Sequence, residues 1–153
     1  GYDSANQDMP SALPEKYEMG TLNIVGIAGL YAALGWVLET TVDVLCKKEK
    51  ENRNRLLNIL HNYWFIKVVG NYPGNQYVGI VSCLIDGMSS DSAGTIFDKA
   101  GVAVRTGLQC APLAHEFMQT YPAGTIRFST SYFTTEEDYQ ALINVLDYIE
   151  ENL

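Results

Sequence analysis

Residues 22–38 are apolar on almost every side of a helix, interrupted only by Asn23 and by the small positions Gly26, Gly29 and Gly35. A helix on the surface of a globular protein shows one apolar stripe, so one that is apolar all round has to be covered by a core, by another subunit or by lipid. The segment just reaches membrane-spanning length. Against a span stand Asn23, the glycines, acidic flanks at Glu18 and Glu39, and the want of a basic residue near either end to set orientation. The expectation is a linking or interface helix over residues 21–40, with no membrane as partner.

The remainder must supply its own core, and 153 residues at 47% apolar are enough for one. Cys46, Cys83 and Cys110 make no CxxC pair and no metal-ligand spacing, and their odd number argues against a closed disulfide framework. A reducing, cytoplasmic setting follows, with no metal site. A net charge of −8 repels phosphate backbones, and the basic run from Lys47 to Arg55 is interleaved with Glu49 and Glu51, so nucleic acid is not an expected partner. No basic region leads into an apolar run at the start, as a signal peptide requires. The polar, turn-rich residues 1–10 read as a loop and as a cut end.

Helical spacing of Val42, Leu45, Cys46, Leu56, Leu57 and Leu60 predicts a helix over about residues 41–63 and puts Cys46 on its core face. Residues 65–69 and 77–85, separated by turn chemistry at Asn71-Tyr72-Pro73-Gly74-Asn75, read as an antiparallel pair with Cys83 packed in the second strand. Ser89-Ser90-Asp91 caps a helix whose face is Ala93, Ile96, Phe97 and Ala100, stopped by Gly101. Val102 to Val104 is a short strand. A helix over about residues 111–119 turns Leu113, Phe117 and Met118 inward. Residues 124–129 form another strand, with Arg127 on the face opposite Ile126 and Phe128, where a guanidinium needs an anion or solvent. Thr134 and Glu137 make a capping box for a last helix with the stripe Tyr139, Leu142, Ile143, Leu146 and Ile149. With neither a regular βαβ period nor an internal repeat, the pattern gives an α+β fold: a two-layer sandwich with a small, mostly antiparallel sheet covered by helices.

One stretch carries chemistry. Residues 104–115 place the thiol of Cys110 near the cation Arg105 and near His115, just before Ala111-Pro112, which reads as a helix start. A nearby positive charge or a helix N-terminus favours the thiolate, the reactive form. Cys110 is the candidate nucleophile, set against the plainer reading of a small buried apolar residue. Arg105 either activates the thiol or clamps the loop through backbone carbonyls. His115 caps the loop, packs, or acts as a general base. His61, near the end of the second helix, has only a helix-dipole reading.

Arg105-Thr106-Gly107-Leu108-Gln109-Cys110-Ala111-Pro112 resembles the cysteine loop of cysteine desulfurases of the selenocysteine-lyase-like group, within the class V aminotransferases. Tyr17-Glu18-Met19-Gly20-Thr21-Leu22-Asn23 resembles that family's Glu-x-Gly-Thr-x-Asn segment, and Ile126-Arg127-Phe128-Ser129 with Tyr132-Phe133-Thr134-Thr135-Glu136-Glu137 resembles its closing strand and helix. The three runs stand in family order. The resemblance implies the small domain of a fold-type I pyridoxal-phosphate enzyme over residues 41–153. Residues 1–20 are then a loop left from a large domain, with Gly1 as the final glycine of a Gly-Gly-Thr-Gly turn. It implies that Cys110 takes sulfur from L-cysteine as a persulfide, that Arg127 holds the substrate carboxylate, and that Arg105 joins it in substrate binding. It further implies a homodimer, a sulfur-acceptor protein as a possible partner, and selenocysteine as an alternative substrate.

Pyridoxal phosphate belongs to the intact enzyme in this reading. Lys16, Lys47, Lys48, Lys50, Lys67 and Lys99 all lack the family's histidine-lysine setting, so the cofactor lysine is expected elsewhere, with no cofactor on this chain alone and no activity from it. One position departs from the pattern: where many members carry histidine before the cysteine, Gln109 stands and cannot titrate. The alternatives are another class V lyase, epimerase or transaminase domain with Cys110 as bystander, or a noncatalytic dimerisation or thiol module.

Overall fold

The computed structural model describes residues 5–18 and 20–153. The family-like role of Gly1, and Met19 within the run from Tyr17 to Asn23, lie outside the described residues. The chain divides into two compact units at the Val42–Asp43 junction.

The first unit carries helix α1 (Ile24–Thr40). The Asn23 side chain caps it by accepting from the Gly26 amide at 3.0 Å, and Thr41, in a left-handed conformation at φ 70°, ends it. None of its residues is buried: Val25, Leu30, Tyr31 and Leu38 are all exposed. Among the described residues no single helix is long and apolar enough to cross a membrane.

The second unit contains α2 (Val42–His61) from its second residue on, β1 (Ile66–Val69), β2 (Ile80–Ile85), α3 (Ser90–Lys99), β3 (Arg105–Gly107), α4 (Pro112–Phe117), β4 (Thr125–Ser129) and α5 (Glu136–Asn152). The four strands form one antiparallel sheet in the order β1-β2-β4-β3. Register pairs Val81 with Phe128 and Cys83 with Ile126, so these side chains share one face, and all are buried. Against them lie Leu56 and Leu60 of α2, Ala93 and Phe97 of α3, and Tyr139, Leu142, Leu146 and Ile149 of α5. Each large side chain so buried contributes about 1.5–3 kcal/mol. Phe97 meets Phe128 edge-on at 5.4 Å between ring centroids. The α+β two-layer expectation holds, with a sheet that is antiparallel throughout.

Local details correct the expectations. Cys46 is exposed, not on the core, because no residue of α2 before Asn52 is buried. Helical periodicity reports a face; it cannot report where the layer beneath it ends. The third strand starts at Arg105, later than expected: Val102 and Val104 are half-buried against the core while Arg105 to Gly107 make the ladder. In α4 the faces are inverted, with Leu113 and Phe117 exposed and His115 buried. The cap of α5 is Thr135 with Asp138, one residue beyond Thr134 and Glu137, since the Thr134 hydroxyl already accepts from the Ser131 amide at 2.9 Å.

The sheet's other face is covered only in part among the described residues: α4 and its flanking turns bring Ala114, His115, Met118 and Thr120 beside Ser82 and Thr125, which is buried. Ser82, Arg127 and Arg105 project there from three neighbouring strands, and Thr125 lies two residues before Arg127 on the same side. Gly124, at φ 71°, leads into β4 so close to Gly107 that a Cβ would overlap the Gly107 backbone. The return from α4 is thereby held tightly against β3.

Candidate active site

Two arginines stand on this face of the sheet, and Cys110 lies on the turn that follows β3. Arg105 and Arg127 are direct partners across β3 and β4. Side chains of such partners leave the sheet on the same side, with Cβ atoms about 4.5–5.5 Å apart. Arg105 is exposed and Arg127 half-buried, and among the described residues neither is paired with a carboxylate. The Nε of Arg127 is buried and has no hydrogen-bond partner among those residues. A buried N–H left unmet is costly; the terminal nitrogens, which are not enclosed in this way, are the ones an incoming carboxylate can reach by charge-assisted hydrogen bonds.

Cys110 lies on the turn between β3 and α4 and is exposed, which removes the buried-apolar reading. Gln109 and Cys110 are both left-handed, at φ 44° and 61°. Gln109 turns its side chain back to the sheet, where Nε2 donates to the Thr125 carbonyl at 3.2 Å and Oε1 accepts from the Thr125 hydroxyl at 3.2 Å. Its Oε1 also lies 3.2 Å from His115 Nε2, while His115 Nδ1 is 2.7 Å from the Thr120 hydroxyl. Both ring nitrogens of His115 are thus engaged within the loop. Cys83, by contrast, is wholly enclosed in the core, and burial pushes its thiol up to about 12.

Arg105 and Arg127 are thus brought together, and Gln109 ties the Cys110 turn to the strand that carries Arg127. His115 serves the loop, and His61 stands apart and exposed at the end of α2. Reading the sequence missed Thr120, Thr125 and the structural use of Gln109. The available signal was a cluster of hydrogen-bonding side chains at positions 109, 115, 120 and 125 around one turn.

The donor set suits an amino acid's carboxylate and a sulfur electrophile. It does not make a pyridoxal-phosphate cradle: β3, β4 and α4 contain no lysine, and Lys67, the one lysine in the sheet, is exposed on β1 at its far edge.

A small four-stranded antiparallel sheet packed with helices matches the architecture of a small domain of fold-type I pyridoxal-phosphate enzymes. The family model for aminotransferase class-V matches residues 3–142, and the chain belongs to that pyridoxal-phosphate-dependent family. It is 33% identical over 134 residues to a probable cysteine desulfurase of Xylella fastidiosa (strain Temecula1), covering 87% of this chain and 31% of the relative. It is 32% identical over 140 residues to a probable cysteine desulfurase of Aeropyrum pernix, covering 89% and 34%. Among solved structures, the apo cysteine desulfurase of Thermococcus onnurineus NA1 superposes with a TM-score of 0.79 at 24% identity, covering 92% of this chain and 34% of that one. The cysteine desulfurase CsdA of Escherichia coli gives 0.69 at 23% identity, with the same coverage. The chain therefore spans about a third of the length of these relatives.

Proposed function

We propose that this chain is the C-terminal part of a cysteine desulfurase, converting L-cysteine to L-alanine with the sulfur left on Cys110. The observation that carries the reading is the exposed Cys110 on a turn bonded to the strand that bears the unpaired Arg127. Arg127 binds the substrate carboxylate, with Arg105 beside it adding positive potential. Pyridoxal phosphate, held by a lysine outside these residues, supplies the electron sink of the intact enzyme. The thiolate of Cys110 attacks the sulfur of the bound cysteine, forming a sulfur–sulfur bond as the carbon–sulfur bond breaks. The carbon keeps that electron pair and takes a proton, giving alanine, and Cys110 keeps the persulfide. The relatives of matching sequence named probable cysteine desulfurase support this reaction over the other class V chemistries.

Since the amine is supplied from elsewhere, the 153-residue chain on its own is inactive. The exposed apolar surface of α1 is suited to cover by a second subunit, as a homodimer requires. A cytoplasmic setting suits a free, exposed catalytic thiol. The persulfide passes to an acceptor protein or thiol, and selenocysteine, with the same carboxylate and a softer chalcogen, is a further substrate. The test is alanine formation from L-cysteine by the intact enzyme with Cys110→Ser or Cys46→Ser. Loss with the first and retention with the second is expected; alanine production untouched by Cys110→Ser places Cys110 outside the reaction.

A further inference from the structure

A left-handed backbone costs about 1–2 kcal/mol for each residue other than glycine, and Gln109 and Cys110 bear that cost consecutively, at φ 44° and 61°. The Gln109 side chain supplies the compensation. The Thr125 carbonyl can only accept, so the amide nitrogen must face it and the amide oxygen must face away, toward the Thr125 hydroxyl and His115 Nε2. An amide oxygen accepts only, so Nε2 of His115 must carry the hydrogen. In the neutral ring Nδ1 then accepts from the Thr120 hydroxyl at 2.7 Å. One backbone carbonyl therefore fixes, in series, an amide orientation and the hydrogen on His115 Nε2; the single hydrogen of the Thr120 hydroxyl has two acceptors within reach, Nδ1 at 2.7 Å and the His115 carbonyl at 3.4 Å.

We infer that Gln109 is a positioning residue: with His115 it forms a latch that registers the Cys110 turn on β4 and so sets the thiol relative to Arg127, two residues beyond Thr125 on the same face. Its effect on turnover rests on Cys110 being the nucleophile; the latch itself does not.

Three measurements test it. In long-range proton–nitrogen NMR of the intact enzyme, with the His115 signal assigned by its loss in His115→Gln, neutral His115 should be the Nε2–H tautomer; an Nδ1–H tautomer overturns the latch. Hydrogen exchange of the peptide over residues 108–112 should quicken about tenfold in Gln109→Ala, the scale of one or two net hydrogen bonds. Thr125→Val, which keeps the carbonyl and removes one hydroxyl, should quicken it less, and unchanged exchange in both variants contradicts the proposal. In the intact enzyme Gln109→Ala should lower kcat while KM for L-cysteine stays within about twofold, since Arg127 is held by β4 independently. A rise in KM with kcat unchanged would mean the residue serves binding instead. If Cys110→Ala left desulfuration intact while the tautomer and exchange results held, the nucleophile reading would fail and the latch would stand.

Discussion

Arg105 and Arg127 face each other directly across β3 and β4, two like charges in one cross-strand pair with no carboxylate between them among the described residues. Like charges directly opposite destabilise a sheet, on the scale of about 0.2–1 kcal/mol. Arg105→Gln should therefore raise stability slightly, by about 0.5 kcal/mol in a urea titration at low salt, and the gain should shrink as salt screens the pair. A loss of stability would show that Arg105 clamps the loop instead.

The same pair sets an expectation for substrate. Arg127→Ala in the intact enzyme should reduce kcat/KM for L-cysteine about 10- to 100-fold, the cost of removing a charge-assisted hydrogen-bonded partner. Arg127→Lys should recover little of it, because an ammonium cannot reproduce the planar fork of a guanidinium. Steady-state kinetics with both variants decide the matter.

Alkaline pH should weaken the fold through Cys83. Burial raises its thiol from 9.0 to about 12, so the folded state holds the proton more tightly than the unfolded chain. Its contribution is complete below pH 9 and is lost as pH climbs from there toward 12. Tyr63, raised by burial and by its hydrogen bond to Asp147, acts in the same direction further up the scale. Urea unfolding at successive pH values should show the decline from pH 9, with a shallower slope in Cys83→Val.

The cap of the last helix offers a narrow test of local structure. Thr135 and Asp138 bond each other's backbone amides, so Thr135→Ala or Asp138→Ala should cost about 1 kcal/mol, while Glu137→Ala should cost almost nothing. Equal losses at Glu137 and Asp138 would place the cap one residue earlier.

These particulars show how far residue patterns reach. The β1–β2 hairpin, the Ser89 cap of α3 and the apolar stripe of α5 were legible because turn chemistry, caps and 3.6-residue spacing act locally. Cys46 and the inverted α4 were not, since periodicity assumes that every apolar face is covered by its own domain. Leu113 and Phe117 are exposed because the buried side of α4 is spent on His115, whose partners Gln109 and Thr120 satisfy it. Cys110, Arg105 and Arg127 stood out in the sequence as candidates by residue type, and the cross-strand pairing of the two arginines came only with the fold. The bond from Gln109 to Thr125 was not legible, because it joins a turn to a strand 16 residues further on, and the clustering of polar side chains at 109, 115, 120 and 125 does not say which of them meet.

The central claim is that sulfur comes to rest on Cys110. Brief reaction of the intact enzyme with L-cysteine, rapid alkylation and peptide mass spectrometry test it directly. The expected result is one extra sulfur atom on the peptide containing Cys110, formed in step with alanine, with Cys46 unmodified and Cys83 inaccessible until unfolding. Alanine released while Cys110 stays an ordinary thiol, or extra sulfur found only on Cys46, contradicts the account.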